Sequence, residues 1–237
     1  MHRPRRPAAL ALAIVAALIS LACVTACSGD HEPVTDGPDP SQLLADAKQA
    51  LDAAGSLEFT LSTDNLPAGT GGVLTAHGTG THAPAFQGDL SVSRSGLTVG
   101  AKVIAVGGEV YAKIGPLPTY TEIDPADYNA PDPAALMDRR TGLSALLTAA
   151  TDVRADGEIR DGSDLLTKIT GTVPGDAVAG LFPSADPGPG YPATFTIDED
   201  SHVRSVKVTG PFYEGHGDVT YTVTFDSYGN KVEISAP

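Results

Sequence analysis

From residue 41 onward the apolar positions recur first at helical spacing and then at strand spacing. Leu44, Ala47, Leu51 and Ala54 fall three or four residues apart, the stripe of an amphipathic helix. Ser41 stands before them as the candidate N-cap and Gly55 after them as the stop. The period then drops to two. Leu57, Phe59 and Leu61 alternate with Glu58, Thr60 and Ser62, and further strand runs cover Val73–Thr81, Ala85–Ser93, Leu97–Val106 and Glu109–Ile114. The turn pairs Ser95-Gly96 and Gly107-Gly108 separate neighbours, so the pattern predicts an antiparallel meander.

The middle of the chain changes character. Tyr120–Pro133 is rich in Pro and Asp, which predicts a surface loop or a few short turns. Leu143, Leu146, Leu147 and Ala150 mark a second helix beginning near Thr141. Strand patterns return at Arg154–Ile159 and Leu165–Val173, and Pro174 starts a short helix carrying Val178, Leu181 and Phe182. After the proline-rich loop Pro183–Pro192 come strands at Ala193–Ile197, Val203–Thr209 and Val219–Phe225, with a short final one at Val232–Ile234. Helix, strands, helices, strands is the order of an α+β domain with a mainly antiparallel sheet.

The segment before residue 41 reads differently. Arg3, Arg5 and Arg6 precede an uncharged run from Ala8 to Val24, the order of parts in a secretory signal. That run is marginal for a membrane span, which needs about 20 apolar residues. Val24-Thr25-Ala26-Cys27 resembles a bacterial lipobox, which predicts residues 1–26 as a cleaved signal and Cys27 as a diacylated anchor. Ser20 makes Cys23 a poorer lipobox candidate. Residues 27–40, polar and acidic with Pro and Gly, read as the acylated tether, and residues 41–237 as one lipid-binding domain. This places the domain on the outer, periplasmic side of the cell membrane.

Charge and cysteine content narrow the partners. The chain has 15 basic and 29 acidic residues, a formal net charge of −14, and losing the signal removes three arginines and no acid. Such a surface repels phosphates, which argues against nucleic acid. The membrane is then held by acyl chains, and two chains on one cysteine suffice for stable attachment. No Cys follows Cys27, so the domain lacks disulfides, thiolate metal sites and cysteine nucleophiles.

Candidate chemistry is sparse. His77 and His82, five residues apart on a strand, point to opposite faces and read as exposed histidines near a turn. Asp198-Glu199-Asp200 lacks the alternating acids of a calcium loop and reads as a solvated hairpin turn. Ser144 lies in Gly-Leu-Ser-Ala-Leu inside a helix, unlike the strand-to-helix turn of a G-x-S-x-G nucleophile. Phosphate-loop and H-E-x-x-H motifs are absent from the sequence. The residues thus give no catalytic group, no metal ligand and no cofactor.

The strand faces carry more information. Leu74, Ala76, Gly78 and Gly80 share one face; Phe86, Gly88, Leu90 and Val92 another; Leu97, Val99, Ala101, Val103 and Ala105 a third. With no Trp and only 5% aromatics, two outcomes are open. Small residues either let a neighbour lie close against the sheet, or leave an apolar hollow above it.

An ordered series of segments resembles the mycobacterial LppX/LprA/LprF/LprG lipoproteins. They are Ser56-Leu57-Glu58-Phe59-Thr60-Leu61, Gly108-Glu109-Val110-Tyr111-Ala112, Arg140-Thr141-Gly142-Leu143-Ser144-Ala145-Leu146-Leu147, Ile169-Thr170-Gly171-Thr172-Val173, Pro192-Ala193-Thr194-Phe195 and Asp226-Ser227-Tyr228-Gly229-Asn230-Lys231-Val232. The resemblance implies a half-barrel: a strongly curved antiparallel sheet with helices over its concave face, similar to the LolA and LolB lipoprotein carriers. It also implies an apolar cavity for multi-acylated lipids, such as triacylglycerides, phosphatidylinositol mannosides, lipoarabinomannan or phthiocerol dimycocerosates, and a lipid exporter as a partner. Leu90 matches a family position that lines the cavity. The expected lining is Phe59, Leu61, Leu74, Ala76, Phe86, Leu90, Val99, Val103 and Val110, with Tyr120–Pro133 and Pro183–Pro192 bordering the mouth. The expected function is a membrane-anchored, non-enzymatic lipid carrier; the alternative is an envelope sensor or scaffold whose solid domain acts through protein contacts.

Overall fold

A computed structural model describes residues 37–128 and 130–237, so the predicted signal, Cys27 and most of the tether lie outside the described residues. The first helix, α1 (Pro40–Ala53), starts just before the expected cap. Asp39 is the N-cap, its carboxylate accepting from the Ser41 backbone N–H at 2.9 Å. Pro40 takes the first helical position, where no amide is needed. The folded domain therefore claims residues assigned above to the tether. Leu44, Ala47 and Leu51 are buried along one face, as their spacing requires.

The strands form one antiparallel sheet. β1 (Ser56–Asp64), β2 (Gly72–Thr81), β3 (Ala85–Arg94), β4 (Leu97–Val106), β5 (Glu109–Ile114) and β6 (Thr121–Ile123) run as a meander to one edge. The chain then crosses, by 3₁₀ turns at Pro125–Tyr128 and Ala135–Met137 and helix α2 (Leu143–Ala149), to the opposite edge. From there β7 (Thr151–Asp161), β8 (Asp164–Pro174), β9 (Gly190–Ile197), β10 (Val203–Gly210) and β11 (Val219–Gly229) return to the middle, where β11 pairs with β1. The short helix α3 (Gly175–Ala179) follows β8. Because β6 and β7 are the two edges of an eleven-stranded sheet, their connection has to pass over one face. The result is an open, curled antiparallel sheet with the helices on its concave side.

Two expectations fail here. Val232–Ile234 forms no strand, because both neighbours of β11 are taken by β1 and β10. The chain leaves the sheet and lies against Gly55, where an added Cβ would sit 2.5 Å from the Lys231 nitrogen. The loop Tyr120–Pro133 is more ordered than its composition predicts, since Thr121–Ile123 pairs with β5 as an edge strand.

The two halves of the concave face are filled differently. Under β8–β11 lies an aromatic cluster. Phe212 packs on Tyr221, Tyr191 and Phe182 at centroid distances of 4.6, 5.2 and 5.4 Å. The hydroxyls of Tyr213 and Tyr221 meet at 2.9 Å in the interior, and burial pushes both above the ordinary phenol value, Tyr221 the further. Over β3–β5 the inward residues are aliphatic and mostly small.

Candidate functional site

The sheet register sets rows of side chains across the concave face. One row reads Ala76, Leu90, Ala101, Ile114 from β2 to β5; the next pairs Gly78, Gly88, Val103 and Ala112. The glycines do not create empty space. The Phe86 ring lies over the Gly78–Gly88 pair, where added Cβ atoms would come within 2.8 and 2.6 Å of it. Met137 covers Gly80 in the same way, with its sulfur 2.5 Å from the Cβ position. Of the two outcomes the sequence left open, close approach holds for β2 and the start of β3.

Farther along, over β3–β5, a hollow of about 120 Å³ remains. Its floor is Leu90, Val92, Val99, Ala101, Val103, Val110, Ala112 and Ile114, and its outer wall is Ile123, Pro125, Tyr128, Ala130, Pro131 and Pro133. It opens to the surface, and Arg94 is the one charged side chain among its described lining residues. A recess of about 20 Å³ adjoins it through Leu90, Pro131 and Pro133. A depression bounded by Glu109, Glu122, Asp124 and Asp132 is larger, about 530 Å³, but more open and edged by carboxylates.

The expected lining residues divide between these spaces. Leu90, Val99, Val103 and Val110 face the hollow; Phe59, Leu61, Ala76, Phe86 and again Leu90 face the recess. Leu74 faces neither. A bulge between Val73 and Thr75 breaks the alternation of β2, which turns Val73 inward at the place period two assigns to Leu74. Val92 and Ala101 share faces with expected residues but were not counted among them. Arg94 and the prolines of the wall carry no sequence signal beyond lying at a strand end and in a proline-rich segment.

A polar knot holds the crossing connection to α1. Lys48 Nζ donates to the Arg139 carbonyl at 2.8 Å and to Ser144 Oγ at 3.2 Å, and pairs with Asp52 at 2.5 Å. Ser144 is thus a buried clamp residue. His82 departs from the exposed role expected of it. Its two ring nitrogens face the carbonyls of Met137 at 2.7 Å and Leu51 at 2.9 Å, joining β2 to both α1 and the crossing segment. Asp138 closes the turn before α2 by accepting from the backbone N–H groups of Arg140 and Thr141 and from the Thr141 hydroxyl. These bonds hold its carboxyl below the usual carboxylate value. Asp198 likewise caps its hairpin, accepting from the Asp200 and His202 amides. Among the described residues, no group of three His, Cys, Asp or Glu side chains is placed to hold a metal ion, and no helix is long and apolar enough to cross a membrane.

A family model described as LppX_LprAFG lipoprotein matches residues 39–234, nearly all of the folded domain. The chain belongs to this family. Among LppX_LprAFG relatives, the lipoarabinomannan carrier protein LprG of Mycobacterium tuberculosis is 24% identical over 241 residues, covering 100% of this chain and 99% of its own. LprG of Mycolicibacterium smegmatis is 27% identical over 244 residues, covering 99% and 98%. The crystal structure of LprF from Mycobacterium bovis superposes with a TM-score of 0.68 at 19% identity, over 85% of this chain and 98% of that one. LppX from M. tuberculosis gives 0.60 at 21% identity, over 84% and 100%. At these identities the two structures show a shared fold.

Proposed function

We propose that this protein is a non-enzymatic carrier that takes acyl chains of multi-acylated lipids or glycolipids into the hollow over β3–β5 and moves them across the cell envelope. The observation that carries this reading is the hollow itself: an aliphatic, surface-open space in a domain that is otherwise strongly acidic. The relatives named as lipoarabinomannan carriers support it, and triacylglycerides or phosphatidylinositol mannosides have the same chemistry of several chains on one head. Cys27, diacylated after cleavage of residues 1–26, anchors the carrier to the outer face of the cell membrane, and a lipid exporter is the expected partner in delivery.

Size sets a condition on this reading. An apolar cavity of about 150 Å³ admits benzene, whereas ligand pockets usually run to about 300–1,000 Å³. At about 120 Å³ the hollow holds part of one chain, so loading requires the wall residues Pro125, Tyr128, Ala130, Pro131 and Pro133 to move outward. The wall is suited to that. The Ala130 amide bonds the Pro125 carbonyl within the wall, a bond that survives displacement, and the Asp127 amide bonds the Asp124 carbonyl where the wall leaves β6. A dozen buried methylenes contribute roughly 10 kcal/mol against water and near zero against a bilayer, the balance a carrier needs in order to release.

Solvent extraction of the purified full chain followed by lipid mass spectrometry tests the proposal. The expected result is co-purified multi-acylated lipid. Its absence from the extract would leave the scaffold alternative, which the small volume of the hollow favours.

A further inference from the structure

We infer that the hollow loads at the β3–β4 hairpin end, and that Arg94 there recognises the phosphate of an anionic lipid headgroup. This rests on the carrier reading and adds the headgroup class and the mouth. Arg94 ends β3, and its guanidinium lies 4.8 Å from the centroid of the Tyr128 ring. The two residues close one end of the hollow, strand on one side and wall on the other. The Tyr128 ring lies against the guanidinium, and among the described residues no carboxylate pairs with it. That planar fork matches phosphate oxygens two at a time.

Two further features mark the same end. Leu97, across the hairpin from Arg94, is 69% exposed, and Leu117, three residues beyond the end of β5, is 50% exposed. Since β4 and β5 are antiparallel, both leucines project from the edge that carries Arg94, as residues entering the acyl layer would. The opposite end is closed to anions by Glu109, Glu122, Asp124 and Asp132. Of the described residues that line the hollow, Arg94 alone offers a phosphate a positive charge. When the phosphate arrives, its oxygens take the edge of the guanidinium while the Tyr128 ring keeps the face, so Arg94 holds the headgroup at the seam between hairpin and wall.

The test offers the full chain equimolar dioleoylphosphatidylglycerol and dioleoylglycerol, identical in their chains, and counts bound lipid by native mass spectrometry. The wild type is expected to prefer the phosphate lipid. R94E is expected to lose that preference by about tenfold or more, the scale of a lost charge-assisted hydrogen bond, while still taking dioleoylglycerol, and R94K to fall between. The double variant L97S/L117S is expected to slow uptake from phosphatidylglycerol vesicles without changing the preference. An unchanged preference in R94E, a wild-type preference for dioleoylglycerol, or displacement by glycerol 3-phosphate at equal concentration would overturn the inference alone. Binding of neither lipid by the wild type would overturn the carrier reading and this inference with it.

Discussion

Replacing Leu90 with Trp addresses the hollow most directly. Leu90 stands on β3 between Ala76 on β2 and Ala101 on β4, and it lines both the hollow and the adjoining recess. An indole adds roughly 60 Å³ over an isobutyl group at interior packing density, about half of the 120 Å³ available. That removes room for about two methylenes, each worth ~0.8 kcal/mol, so affinity for an acyl chain should fall by about 15-fold. Folding stability should change little, because the ring enters space already there; forced into a packed core it would cost about 1–3 kcal/mol. Native mass spectrometry of bound lipid and urea denaturation on the same preparation read both quantities. Undiminished lipid together with a loss of stability in the overpacking range would refute the placement of Leu90 beside usable space.

Other substitutions test the parts around the hollow. Phe86→Ala uncovers the Gly78–Gly88 pair and should cost about 3–5 kcal/mol in urea denaturation without abolishing lipid uptake, since the floor over β4 and β5 is untouched. His82→Ala removes the side-chain partner of the Met137 carbonyl and leaves the Leu51 carbonyl with the Ala54 amide alone, which should cost about 1–3 kcal/mol, with amide exchange accelerating first in the crossing segment. Asp138 has its pKa lowered in the folded state, so it contributes stability that is present above the unfolded carboxylate value and lost as pH falls through the folded one. Urea midpoints should therefore drop further for the wild type than for Asp138→Asn between about pH 6 and pH 3, and parallel drops would contradict the role assigned to it.

Strand alternation located the sheet because one face of each strand is buried and the other wet. Leu97–Val106 and Glu109–Ile114 match β4 and β5 in full. The errors fall where a tertiary contact outweighs local pattern. A single bulged residue exchanged Val73 for Leu74, and a bulge leaves no mark in a run of apolar residues. Glycine content left close approach and emptiness both open at Gly78, Gly80 and Gly88; Phe86 and Met137 fill the space above them, and neither pairing can be read without the fold. The wall of the hollow was the least legible part. Prolines at 125, 131 and 133 announce a loop, but only the opposite-edge placement of β6 and β7 sends that loop across the concave face.

The uneven filling of that face has a thermodynamic consequence. If sealed, an unfilled space of about 120 Å³ would cost roughly 3 kcal/mol relative to a filled one, at about 24 cal/mol per Å³, which is the ceiling for this surface-open hollow. The cost is large beside a typical total stability of about 5–15 kcal/mol. Phe182, Phe212, Tyr191 and Tyr221 fill the β8–β11 side with four fully packed rings, so the chain has the means to close such space and leaves it open over β3–β5. A chain seated in the hollow supplies the missing contacts and should recover that free energy. Delipidated protein reloaded with lipid should unfold at a higher temperature than the empty form, by up to about 6–12 °C at roughly 2–4 °C per kcal/mol for a domain of this size. Scanning calorimetry on matched loaded and delipidated samples measures it. Coincident transitions would mean that lipid sits on the surface, outside the aliphatic space that the curled sheet leaves unfilled over β3–β5.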